Sequence, residues 1–139
     1  MIKLAMTLLL MNGTLMQKRS DLLKFLDAIK SVEGWTEDAG IGKHGEVGPY
    51  QITPDFFTDA MQQLEFEKRD TSRIKFRDLE KDEALCRRII LAYFRRYCPV
   101  LLKNDEFKDM SRIFHRGPNA IKNNKGITYW KLVRKEMLQ

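Results

Sequence analysis

Leu22, Phe25, Leu26 and Ile29 fall three and four residues apart, which is the spacing of one helix face, and they predict a helix opening at Ser20 or Asp21. Gly34, free to adopt a left-handed cap, ends it. The pattern then breaks up. Gly34, Gly40, Gly42, Gly45 and Gly48 surround the isolated apolar residues Ile41, Val47, Tyr50 and Ile52, which reads as a loop carrying a small β-hairpin. Thr53-Pro54 starts a second helix, with Thr as N-cap, Pro in the first turn, and Phe56, Phe57, Ala60, Met61 and Leu64 inward. Residues 65–81 are densely charged and predict an exposed connection.

Asp82 opens a third helix, with Leu85, Cys86, Ile89, Ile90, Tyr93, Phe94 and Tyr97 inward and Pro99 as its stop. A fourth runs from about Asp105 through Phe107, Met110, Ile113 and Phe114 until His115-Arg116-Gly117-Pro118 breaks it. A last helix carries Tyr129, Trp130, Val133 and Met137. Five helices with one β element after the first define an α+β, mainly α domain spanning residues 20–139. Residues 1–19 form an extension. Within it Lys3 and the run Leu4–Met11 have the look of a short signal segment, too short to span a bilayer.

Composition adds little that is specific. The 139 residues suit one domain, and 32% charged residues suit a globular chain. A net charge of +6 fits a polyanionic partner, either nucleic acid or an anionic envelope, or simply keeps the protein soluble. Cys86 and Cys98 stand twelve positions apart in one predicted helix, about 18 Å. A disulfide needs Cα atoms within about 7 Å, so both are expected as free, buried thiols. No metal-ligand spacing, phosphate-binding glycine loop or Ser/Cys–His nucleophile pattern is present, so neither a metal nor a cofactor is expected.

Chemistry concentrates at Glu33. It follows Ile29 by four residues and Leu26 by seven, so it projects from the apolar stripe. Desolvation there raises a carboxyl pKa, and the negative end of the helix dipole acts in the same direction. A glutamate that keeps its proton near neutrality can protonate a leaving glycosidic oxygen. The plain alternative is a glutamate at a frayed helix end that reaches water or an arginine. The turn Gly45–Ile52 could set backbone amides, the Tyr50 ring and the Gln51 amide beside a pyranose, although Tyr50 could equally be core and Gln51 structural.

Glu33, a glycine-bearing loop and then Gly48-Pro49-Tyr50-Gln51-Ile52-Thr53-Pro54 resemble the lytic transglycosylase and goose-type lysozyme superfamily. There the catalytic Glu ends a helix and precedes a Gly-x-x-Gln-Ile/Met-x-Pro element. Phe114–Ile121 and Thr128–Val133 look like two later elements of that family, one built on Tyr-Asn-Ala-Gly-Pro. The resemblance spans roughly residues 22–135 and implies a lysozyme-like fold. It implies a monomer that cuts the β-1,4 bond between MurNAc and GlcNAc in peptidoglycan strands, with no nucleic-acid partner. The setting would be a bacterial envelope or periplasm, or a phage virion or its host. On the matching positions Glu33 is the acid/base, Gly48 and Gln51 floor the groove with Tyr50 nearby, and Tyr129 forms a wall. The sequence departs where the family has Tyr-Asn and this chain has Phe114-His115-Arg116-Gly117. There His115 can still donate or accept a hydrogen bond beside Gly117, or it can be purely structural.

A second carboxylate would set the outcome, lying about 5 Å from the first in a retaining hydrolase and about 6.5–9.5 Å in an inverting one. Asp38 and Glu46 are the preferred assistants, with Glu37 also in the loop. If none faces Glu33, the substrate's own 6-hydroxyl closes a 1,6-anhydro ring. The rival readings are a chitinase-like hydrolase, a glycan-binding relative without catalysis, and a nucleic-acid-binding helical module suggested by Arg87-Arg88 and Arg95-Arg96.

Overall fold

The computed structural model describes residues 2–139, with side chains described from Met6 onward. Among the described residues there are six α-helices: α1 (Ile2–Glu33), α2 (Pro54–Phe66), α3 (Glu83–Tyr97), α4 (Pro99–Lys103), α5 (Phe107–Arg116) and α6 (Ile127–Met137). Helix α1 packs on α6, α6 on α5, and α2 on α3, so the chain's first and last helices lie together.

The mainly helical expectation holds, but the β-hairpin does not form. Val47 and Ile52 make one isolated antiparallel bridge, with Val47 N–H donating to the Ile52 carbonyl (3.0 Å) and Ile52 N–H to that of Val47 (3.1 Å). The turn Gly48–Gln51 closes immediately inside this pair. Thr53 already caps α2, its hydroxyl accepting from the Phe56 amide (3.3 Å), so no residues remain to extend a strand.

Helix α1 corrects a second expectation, since it runs from Ile2 without a break at Ser20. Leu and Met, both strong helix formers, dominate residues 4–16, and helix already formed on both sides overrides the cap preference of Ser20. Its two halves have different surroundings. Phe25, Leu26, Ala28 and Ile29 are buried, whereas Met6, Leu8, Leu9, Leu10, Met11, Leu15 and Met16 are exposed. A Lys18–Lys103 carbonyl contact marks where the helix meets the domain. No helix among the described residues is long and apolar enough to cross a membrane.

Pro99 does stop α3, but it also opens the short helix α4, where a proline in the first turn costs no hydrogen bond. The charged segment 65–81 is exposed in large part, yet its 3-10 turn Phe76–Glu80 drives Leu79 fully into the core. Cys86 and Cys98 are free and buried, and the Cys86 thiol donates to the Leu79 carbonyl (3.0 Å). Burial pushes both thiols up to about 12, so neither is a nucleophile near neutrality. The core is knitted by rings: Phe25 stacks on Phe107 (4.7 Å between centroids) and Phe56 on Tyr93 (3.8 Å). Each fully buried large apolar side chain in this cluster contributes roughly 1.5–3 kcal/mol.

Candidate active site

Glu33 is the last residue of α1. Gly34 follows with φ +61°, and its N–H donates to the Lys30 carbonyl (3.2 Å), which ends the helix and leaves Glu33 at the domain surface. The carboxyl is half-buried, and its Oε1 accepts a hydrogen bond from the Tyr129 hydroxyl of α6 (2.8 Å). Burial raises the pKa of Glu33 above the ordinary glutamate value of 4.5. The Tyr129 hydrogen bond opposes that rise, and the negative charge of Glu46 adds to it. Burial pushes the Tyr129 hydroxyl far up as well, with the Glu33 charge and their hydrogen bond adding to it, so Tyr129 stays a neutral donor.

Two cavities meet at this carboxyl. One, of about 510 Å³, is lined by Glu33, Val32, Arg116, Lys125, Tyr129 and their neighbours. The other, of about 430 Å³, is lined by Glu33, Glu46, Gln51, Asp55, Asp59 and Gly117 among others. His115 lines both, and its ring lies flat on Tyr129 (4.2 Å between centroids, 2° between planes). Together the cavities form a bilobed groove with Glu33 and His115 at its waist. Desolvation and the charge of Arg116 push the His115 pKa down, so its imidazole is neutral at pH 7.

Glu46 lines the second cavity from the loop that precedes the bridge. Its carboxylate is held by backbone amides, one its own and one from His44 (2.6 Å to Oε2), and it folds over Gly42, where a Cβ would collide with it. Those amide hydrogen bonds, followed by the His44 charge, pull its pKa below the ordinary value. The two glutamates are therefore shifted in opposite directions, Glu46 toward the carboxylate and Glu33 toward the protonated acid.

The other predicted residues divide. Gln51 lines the groove in a left-handed conformation (φ +50°), and its amide nitrogen donates to the Gly48 carbonyl (2.8 Å), which locks the turn. Gly48 and Tyr50 lie beneath the groove, not in it. Gly48 (φ +73°) passes so close to the 3-10 turn that a Cβ would overlap the Leu79 carbonyl. Tyr50 is fully buried, its hydroxyl accepting from Arg87 Nε (3.1 Å), because a residue far along the chain offers it a partner inside the domain. Asp38 is exposed in the 3-10 turn Glu37–Ala39 and lines neither lobe.

Sequence reasoning missed His44, Asp55, Asp59 and Lys125 as groove residues. Asp55 and Asp59 stand four apart on α2, the spacing that puts two side chains on one helix face, and this was their only available signal. Among the described residues no cluster of His, Cys, Asp and Glu could hold a metal ion. Compared with known proteins, the chain matches no family model, no curated protein and no solved structure.

Proposed function

We propose that this protein is a glycosidase of the lysozyme-like kind that cuts the β-1,4 bond between MurNAc and GlcNAc in peptidoglycan strands, with Glu33 as general acid/base. The observation that carries the reading is the position of Glu33, a half-buried glutamate whose pKa is raised by burial and whose carboxyl lines both lobes of the groove. Tyr129 occupies Oε1, which leaves Oε2 to carry the proton into the groove.

In the first step that proton passes to the glycosidic oxygen as its bond to the anomeric carbon breaks. The departing sugar leaves as an alcohol, and positive charge develops on the ring that remains. Glu46, ionised across the groove, stabilises that charge. An O–H nucleophile then adds to the anomeric carbon and gives its proton to Glu33, which restores the acid. When water adds, the product has a reducing end. When the ring's own 6-hydroxyl adds, the product is a 1,6-anhydro sugar. The carboxylate of Glu46 favours the hydrolytic branch, because it can also orient a water, and mass spectrometry of digested wall separates the two products.

Three of the four arginines in the rival nucleic-acid reading are engaged within the chain. Arg87 pairs with Asp27 (2.8 Å), Arg95 pairs with Glu67 through two nitrogens (2.8 and 2.9 Å), and Arg96 lies over the Tyr97 ring. That supports the glycan reading. The test is clearing of purified cell walls by the parent and by Glu33→Gln. The parent clears them and the variant does not, whereas equal clearing by both removes Glu33 from the chemistry.

A further inference from the structure

The two lobes of the groove carry opposite charge. The lobe beside α6 holds Arg116 and Lys125, and the only carboxyl lining it is Glu33. The lobe beside α2 holds Glu46, Asp55 and Asp59, with His44 as its one basic residue besides the shared, neutral His115. The ion pairs among the described residues are Lys30–Glu83, Arg87–Asp27, Arg95–Glu67 and Arg112–Asp109, so neither Arg116 nor Lys125 is neutralised by a carboxylate. The carboxylates of the acidic lobe are in none of these ion pairs: that of Asp59 accepts from the Tyr97 hydroxyl (2.8 Å), and Arg96 reaches the Asp59 backbone carbonyl (3.5 Å).

The cationic lobe is built into the fold. Arg112 is buried, pairs with Asp109 (3.0 Å), and its Nε donates to the Lys125 carbonyl (2.8 Å), which pins the backbone that carries Lys125. At the next residue, Gly126 (φ +81°), a Cβ would lie only 2.9 Å from the Arg112 Cα, so the loop is pressed against α5. Arg116 ends that same helix, one residue before Gly117 turns the chain (φ +87°).

We propose that the Arg116–Lys125 lobe is a carboxylate-recognition subsite. It takes the sugar of a wall strand that bears an acidic substituent, while the Glu46–Asp55–Asp59 lobe takes the uncharged amino sugar and repels the acidic one. A strand of alternating acidic and neutral sugars then seats in one register only, with Glu33 at the bond between the two lobes. This inference rests on the glycan-cleaving reading, and it makes Arg116 and Lys125 residues of specificity rather than of chemistry.

Calorimetric titration of the Glu33→Gln protein, which binds without cutting, tests it with two probes of equal length. One is an N-acetylglucosamine tetramer, and the other is a tetrasaccharide in which every second sugar carries a lactyl carboxylate. The acidic probe binds at least tenfold tighter, and its advantage shrinks as salt rises. Arg116→Gln with Lys125→Gln brings the ratio of the two affinities to near one, and each single change brings it part of the way. Circular dichroism verifies that these surface variants fold. Equal affinities before any cation is removed, or a preference that survives the double change, overturn the subsite. If walls are still cleared by the parent, only the subsite falls. If neither probe binds and walls are not cleared, the glycan reading falls with it.

Discussion

The two walls of the groove treat a glutamate in opposite ways. On the α1–α6 wall Glu33 is surrounded by side chains, loses water and gains a tyrosine hydroxyl, and its pKa rises. On the loop wall Glu46 lies against backbone N–H groups, which favour the charged form, and its pKa falls. One residue type is thereby pushed toward its protonated form on one side and toward its charged form on the other. The difference comes from what the backbone does. A helix end buries its last side chain but offers no free amides to it, whereas a tight glycine loop exposes amides and buries little.

Removing the acid has the largest expected effect. Glu33→Gln lowers wall clearing on the order of 10²-fold or more, and the same variant sharpens the comparison through stability. Glu33 titrates above 4.5 in the folded protein, so between the two values the folded state holds a proton that the unfolded chain has released. Stability therefore falls as pH rises through the folded value, and a deficit persists above it. Gln has no such deficit, so the variant melts higher than the parent at neutral pH and loses that advantage in acid below 4.5. Parallel melts at the two pH values check this.

Next comes the loop wall. Gly48→Ala forces a Cβ into the Leu79 carbonyl at φ +73°, which costs roughly 3 kcal/mol or more and unlatches the Glu46 loop from the 3-10 turn. Urea unfolding measures it. Smaller effects set the two walls against each other. Tyr129→Phe removes a hydrogen bond that lowers the Glu33 pKa, so the alkaline limb of the pH–rate profile moves up and the maximal rate falls about tenfold. Glu46→Gln removes a charge that raises it, so the alkaline limb moves down and the acid limb is lost. Shifts in the same direction for these two variants would contradict the opposed effects of Tyr129 and Glu46 on Glu33.

Glu33 was legible because helical spacing put an acid in an apolar stripe one residue before a glycine, and that local pattern survives in the fold. Thr53-Pro54 and Asp82 were legible for the same reason, since caps are decided within one turn. Tyr50 was not, because the hydroxyl's partner Arg87 lies 37 residues away and turns the ring inward. The start of α1 was misplaced because a serine beside charged residues mimics a cap in the middle of a helix that never breaks. Least legible was the polarity of the groove. Its acids come from α2 and the glycine loop and its cations from the end of α5 and the loop before α6, and only tertiary packing sets these side by side.

In the proposed mechanism Glu33 carries the proton that breaks the glycosidic bond. Carbon-13 NMR titration of the Glu33 carboxyl, set beside the pH dependence of wall clearing by the same protein, tests it most directly. Glu33 is expected to titrate above 4.5, and that titration to coincide with the alkaline loss of activity. A carboxyl that titrates at the ordinary value, or an activity that persists after it has lost its proton, would contradict it.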